Sequence, residues 1–467
     1  MTTRYVGSGG NDGNSGLTWA LRKLTLNGVE DTPVVAGDTV YVGPGVYREM
    51  LTCDVSGAAG SPITYIGDVT GEHTDGVGGI VRITGSDNDT TATRNYCITG
   101  TTISYRTFRG LAFDMATSIG VYGGADTRTN WIIEDCSFRL LVIGVQAGNG
   151  ANQANWTIRR CYFDLSTITN SYGVQITHTA TVNNTGHVIE NCIFRGAYIS
   201  NAVARVGGVT VRNNLFLQPS LRAVAITAAL AAGQTLTVYN NVFHGCFSQA
   251  ACYAVAADGT FIEDYNAFFQ NTTARTNVAV GAHSNTYPPL FDPPILLDGF
   301  ALPWQFGRLS KWSQIARIAD GGTYATDDYN GFPRPVTDGN RSWGAVQYPG
   351  AARETTTIDG SSGASIKLPD AGEQFLMRVP VTAVSTTITI KVYREADYAG
   401  TLPQMIVRQA GQADNTTTDT GAAAAWNTLT ATLTPASSPG WVDVVIKSNN
   451  TAAAGSYACY FDTVDVT

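Results

Sequence analysis

The chain has 467 residues, of which 43% are hydrophobic and 14% charged, and its net charge is −8. That balance excludes a general attraction to nucleic acid or anionic lipid, and no stretch reaches the roughly 20 apolar residues of a membrane span. The 50 glycines, with abundant Thr and Asn, favour many short strands and turns over helices.

The opening MTTRYVGSGGNDG has neither a basic n-region nor an apolar h-region, so no signal peptide is expected in it. Residues 1–50 read as an N-terminal cap and first coil. Tyr5-Val6 is a strand, 7–16 a Gly/Asn/Asp turn, and LTWALRKLTLNGV (17–29) one or two helical turns over the open end. The stretch Gly37 to Glu49 then reads strand, Gly-Pro-Gly turn, strand. Such a cap is needed because an open solenoid end invites edge-to-edge aggregation.

Residues 51–350 read as a parallel β-helix with a closing segment, the coils at 51–300. PITYIG (62–67), IVRITG (80–85) and YCITG (96–100) are early strands. A phenylalanine then recurs at Phe113, Phe138, Phe163, Phe194, Phe216, Phe243 and Phe268, in steps of 25, 25, 31, 22, 27 and 25 residues. Most copies close a β-like phrase: WIIEDCSF, WTIRRCYF, HVIENCIF, VTVRNNLF, LTVYNNVF. A strand-and-turn unit of this period predicts a β-solenoid. About ten to twelve coils and a rod about 50–60 Å long are expected. The last phrase, FIEDYNAFF (261–269), reads as one residue longer, a bulge.

The charges follow the same period. Four positions before the first six of these Phe residues stand Arg109, Glu134, Arg159, Glu190, Arg212 and Tyr239; one position after them stand Asp114, Arg139, Asp164, Arg195, Leu217 and His244. Equivalent residues of stacked coils lie about 4.8 Å apart. Alternating signs then attract by roughly 0.2–1 kcal/mol per pair. The alternation predicts coils that sit directly on one another. The repeat contains no lysine, so a lysine base is excluded there.

Residues 283–350 lose the period, and TDDYNGFPRPVTDGNRSWGAVQYPG (326–350) reads as a closing segment. A Ser/Gly/Thr linker is expected at 351–365. From 366 to 467, alternating strands separated by polar turns predict an antiparallel β-sandwich. Of the eight cysteines, Cys136, Cys161 and Cys192 share one repeat position, two before the Phe. A disulfide along the stack fits the Cα range of about 4.4–6.8 Å. A reduced thiol stack filling the interior is preferred.

YVGSGGNDGNSG followed by AGDTVYVGPGVYRE resembles the N-terminal cap of right-handed parallel β-helix proteins of the pectate-lyase-like superfamily. Asn214, Asn241 and Asn266 resemble that superfamily's asparagine ladder, from which the three cysteines depart; DDYNGFPRP and WGAVQY resemble its closing motif. The resemblance covers about residues 4–350 and implies an all-β fold: a right-handed parallel β-helix followed by a β-sandwich. The C-terminal domain, ending YACYFDTVDV, resembles jelly-roll carbohydrate-binding modules and the C-terminal domains of phage fibres. The layout as a whole resembles a bacteriophage virion protein. It implies a homotrimeric spike, fibre or decoration at the virion surface or outside the cell, with other virion proteins and cell-surface polysaccharide as partners, and no nucleic acid or membrane insertion. Polysaccharide lyases, polysaccharide hydrolases and non-catalytic glycan-binding proteins are the alternatives.

Candidate chemistry is read against architecture. Lyases use a carboxylate neutraliser, often Ca²⁺, and an Arg or Lys base to take the proton α to a uronate carboxyl. Arg109, Arg159 and Arg212 beside Glu134, Asp135 and Glu190 are the residues for that role. The charge ladder explains the same residues without catalysis and is preferred. Hydrolases need two carboxylates on one face, about 5–9.5 Å apart. Asp114 and Asp164 are two coils apart with Arg139 between, and Glu134–Asp135 and Glu263–Asp264 are neighbours expected on opposite strand faces. The oxygen-rich runs Asp87-Asn88-Asp89 and Asn11-Asp12-Asn14 are candidates for Ca²⁺, or for turns held by side chain–backbone bonds. Trp131, Trp156 and Tyr239 are the candidate glycan platform.

Overall fold

The computed structural model describes residues 1–289 apart from 33, 101, 125–127, 150–152, 169, 178–185, 202–207, 220, 228–234, 256–260 and 288. It further describes 324–329, 334, 343–345, 352–354, 365–368, 374–381, 386–396, 398, 402–408, 414–433, 440–448 and 459–466. The chain divides into two compact units, one of residues 1–331 with 342–346, the other of 332–341 with 347–467.

The first unit is a parallel β-solenoid. Each coil contributes one strand to each of three parallel sheets, as in Trp131–Glu134, Ser137–Arg139 and Ile143–Asn149. Among the described residues the first sheet has 10 strands and the other two have 9 each. Nine steps of about 4.8 Å make the stack roughly 43 Å long, shorter than the repeat spacing suggested. The only helical turns described are Trp19–Leu21 and Leu26–Glu30, in the expected cap region. Glu30, at the end of the second, accepts both guanidinium nitrogens of buried Arg106 at 2.6 and 2.8 Å, which fastens the cap to the coils.

The phenylalanine repeat is the spine of the core. Phe113, Phe138, Phe163, Phe194, Phe216, Phe243 and Phe268 pair in register, with successive ring centroids 5.1, 4.6, 4.7, 4.8, 5.1 and 4.9 Å apart. That is the inter-strand spacing, so each ring stacks on the one below. The facing third sheet makes room with glycine: a Cβ on Gly173 would lie 2.5 Å from Phe194 Cδ1. The bulge expected at 261–269 is not there. Phe261–Asp264 pairs with Leu236–Tyr239, and Ala267–Phe269 with Val242–His244, both without a shift. Phe269 is the next outward residue of the strand, not an insertion.

Beside the spine, Asn214 N–H donates to Asn241 Oδ1 and Asn241 N–H to Asn266 Oδ1, each at 2.9 Å. The cysteines continue this ladder in its donor role. Asn241 Nδ2 donates to Val211 O and Tyr239 O; three places down the series, Cys161 Sγ donates to Ile133 O and Arg159 O. All eight cysteines are free and buried.

The second unit holds a 5-stranded and a 4-stranded antiparallel sheet. Ile388, Ile390 and Val392 of one sheet and Met405, Val442, Val444 and Ile446 of the other share one apolar core, as in a sandwich. The segment expected as a linker begins in a strand: Ala352–Glu354 pairs antiparallel with Ser365–Leu368.

Candidate functional site

Between the first and second strands of each coil the chain turns through a single left-handed residue. Gly110, Asp135, Arg160, Asn191, Asn213, Asn240 and Tyr265 hold this position, with φ between +52 and +68. Such a residue redirects the backbone, so strand alternation stops there. This overturns the expectation that Glu134 and Asp135 face opposite ways. Arg160 reaches both, Glu134 Oε2 at 3.0 Å and Asp135 Oδ1 at 2.7 Å. Glu263 and Asp264 keep the expected divergence: Glu263 is buried against Arg275 and Asn266, while Asp264 meets His283.

The charge column is in the predicted register, Arg109 to Glu134 to Arg159 to Glu190 to Arg212. Arg159 lies 2.6 Å from Glu134, and Arg212 2.8 Å from Glu190. The lyase candidates are therefore occupied with one another. Burial disfavours the charge on Arg160, but Asp135, Asp327 and Glu134 outweigh this and raise its pKa.

A groove of about 1060 Å³ runs beside these turns over successive lower coils. Four guanidiniums (Arg82, Arg109, Arg139, Arg160) and four carboxylates (Asp68, Asp89, Asp114, Asp135) line it. Arg82 bridges Asp89 and Asp114, each at 2.7 Å, and Arg109 meets Asp135 at 3.1 Å. Hydrogen bonds from Arg48 and Arg82 hold the Asp89 carboxyl down at about 2. Partial burial pushes Asp68 up, but bonds from Thr74, the His73 backbone and Thr70 bring it below the usual carboxylate range. Tyr41, stacked on His73 at 4.1 Å, lines the groove along with Tyr162 and Tyr329.

Arg139 is exposed and carries no hydrogen bond or ion pair among the described residues. Its register neighbours, Asp114 and Asp164, are drawn instead to Arg82 and to Arg195 at 3.5 Å. Asp114 Oδ1 is left buried without a hydrogen-bond partner. The alternation of signs around Arg139 is real in register but not closed in contact.

The other sequence candidates lie elsewhere. Trp131 and Trp156 stack at 4.9 Å, but inside the core and fully buried. Their indole N–H groups donate to Ile103 O and Arg128 O, so neither ring is a glycan platform. The alternation of the first sheet points both rings inward, which removes them as contact residues. Tyr239 is half-buried and its ring centroid is 6.2 Å from that of Tyr265. Asp87 is bound by Arg94 at 2.6 Å and Asp89 by Arg48 and Arg82, so guanidiniums hold the oxygens a calcium ion would need. Asp12 accepts from the N–H groups of Leu24 and Thr25, the turn role. No group of three or more His, Cys, Asp or Glu fit for a metal occurs among the described residues.

Arg82, Asp68, His73, Arg160 and Tyr329 were not legible as groove residues. The doublet Arg159-Arg160 was the available signal for Arg160, since two adjacent arginines cannot both join one ladder column.

No protein-family model matches this chain, and no curated protein matches it. Among solved structures it is similar to a rhamnogalacturonan lyase, with TM-score 0.41 and 19% identity over 58% of this chain and 74% of that one. It is similar to an alginate lyase from Paenibacillus sp. str. FPU-7, with TM-score 0.36 and 16% identity over 56% and 97% of the two chains. It is also similar to a tailspike protein of E. coli bacteriophage HK620 in complex with pentasaccharide, with TM-score 0.31 and 11% identity over 89% and 70%. At these values no site residue or substrate carries across.

Proposed function

We propose that this chain is a glycan-engaging virion surface protein, a spike, fibre or decoration, in which the solenoid is a rigid shaft. It binds an extended saccharide lengthwise in the groove beside the left-handed turns. The carrying observation is the groove's lining: charged donors and acceptors with Tyr41, His73, Tyr162 and Tyr329 among them, a mixture suited to sugar hydroxyls and sugar faces. Binding without turnover is the favoured form. Of the four groove carboxylates, Asp89 and Asp68 lie below their ordinary values, the opposite of what a general acid needs. The sandwich would serve as a jelly-roll-like second module, and a homotrimer with other virion proteins as partners would complete the assembly.

The test is incubation of the chain with a panel of bacterial surface polysaccharides, reading binding by calorimetry, turnover by unsaturated-uronate absorbance and new reducing ends, and subunit mass by light scattering. Binding without new ends is expected. Turnover would favour the polysaccharide lyase or hydrolase reading instead. A chain that binds no member of the panel would overturn the glycan reading.

A further inference from the structure

The outward face of the first sheet is complementary to itself about its own middle. The sheet has 10 strands, so its midpoint falls between the strand of Glu134 and the strand of Arg159. Counted outward from that midpoint along one column, Glu134 is matched by Arg159, Arg109 by Glu190, and Tyr41 by Tyr239. The two remaining matches, Ile66 with Arg212 and Tyr5 with Asp264, bring no like charges together. The other outward column lies two residues earlier on each strand. From Thr3 to Ile262 it holds only Thr, Ile or Val. There Ile132 is matched by Thr157, and Thr64 by Thr210.

We infer that this face docks a second copy of the chain, reversed along the stack by a two-fold axis that runs parallel to the strands through the sheet's midpoint. That axis sets each column against itself in reverse order, an isologous contact. Arg109 then meets Glu190 of the second copy, Glu134 meets Arg159, and the β-branched column supplies an uncharged seam. Other placements lose the match. An axis through the Glu134 coil sets Arg109 against Arg159. A copy running the same way sets every charge of the column at its own height, and like charges opposed across a contact repel.

The groups that would meet are open to a partner. The Arg109 side chain is 53% exposed and gives its Nε to Asp135, and its two terminal nitrogens make no hydrogen bond among the described residues. Glu190 takes Arg212 through Oε2, and its Oε1 has no hydrogen bond among the described residues. A guanidinium fork and a carboxylate oxygen make a charge-assisted pair. A face about 43 Å by 13 Å covers roughly 1,100 Å² between two copies, above the roughly 1,000 Å² of a specific interface. The inference does not rest on the glycan reading. A three-fold made through another face would be doubled to six copies by the same axis.

The experiment is cross-linking of the full chain with a short bis-maleimide in the variants T64C, T210C and T64C/T210C. Within one chain these positions are five strand steps apart, about 24 Å, beyond the reagent's reach, and the native cysteines are buried. Labelling with a mono-maleimide first establishes that the introduced thiols react. A covalent dimer is expected from the double variant and from neither single one. A dimer formed by T64C alone places the copies the same way up and overturns the assignment, as does no dimer from any variant. Light scattering of the wild-type chain should give the mass of two or six copies; one or three overturns it. T157K sets an ammonium against Ile132 of the second copy and should halve that mass with the circular dichroism spectrum unchanged. A folded T157K that keeps the full mass also overturns it.

Discussion

Arg160 and Asp327 lie 167 positions apart and meet at 2.6 Å. Arg160 also holds Glu134 and Asp135, so one nearly buried cation organises three carboxylates. Removing it leaves those charges together without compensation. R160M is expected to destabilise the solenoid by about 3 kcal/mol, the scale for breaking a buried ion pair from one side. D327N removes one partner that is more exposed and should cost about 1 kcal/mol. Chemical unfolding of both variants checks the order; R160M no worse than D327N would contradict it.

Trp131 was a surface candidate by type and is a core residue by position. W131A should cost about 3–5 kcal/mol through the cavity it leaves against Trp156 and Phe108. The readout is the unfolding midpoint. A variant as stable as wild type would refute the buried placement.

Asn241 receives N–H bonds from both the backbone and the side chain of Asn214, and its own amide reaches Val211 and Tyr239. N241A would strand the buried Asn214 donors, at about 1–3 kcal/mol. The companion C161A loses only weak thiol donors and a small volume, so its loss should be clearly smaller. Parallel denaturant titrations compare them, and equal losses would count against the weaker role of the thiols in the ladder.

The Asp89 carboxyl is held from its ordinary 3.8 down to about 2, first by the hydrogen bond from Arg48. Its folded pKa lies below its unfolded one, so the unfolded state takes up the proton first on acidification. The contribution is complete above the unfolded pKa and is lost as pH falls through the folded value. The midpoint gap between wild type and D89N should therefore be present near neutrality and close by pH about 2. A gap independent of pH would remove the Arg48 and Arg82 pairing as its cause.

Burial pushes the thiols of Cys53 and Cys97 up to about 12 and Cys246 to about 11. Alkylation needs the thiolate. The native chain should resist iodoacetamide at mildly alkaline pH, and all eight cysteines should label after unfolding. Mass spectrometry reads the count; a cysteine blocked even in denaturant without reductant would reveal a disulfide.

The period of the phenylalanines, the sign alternation of Arg109, Glu134, Arg159, Glu190 and Arg212, and the strand pattern beyond 366 were all legible in the chain. Each is a one-dimensional consequence of stacking: a coil that repeats must repeat its residues, and neighbours about 4.8 Å apart must agree in size and charge. What the residues alone determined is thus the solenoid, the identity of its stacked columns and the following sandwich. Three matters belonged to tertiary structure. The left-handed residue at Asp135 turned two acids toward one arginine where alternation predicted divergence. The alternation itself buried Trp131 and Trp156, because residue type does not say which face of a strand is the core. Asp327 came back to Arg160 over a separation that no local pattern encodes. Periodicity records contacts between equivalent positions. The groove is made by positions that are not equivalent, and only the folded chain brings those together.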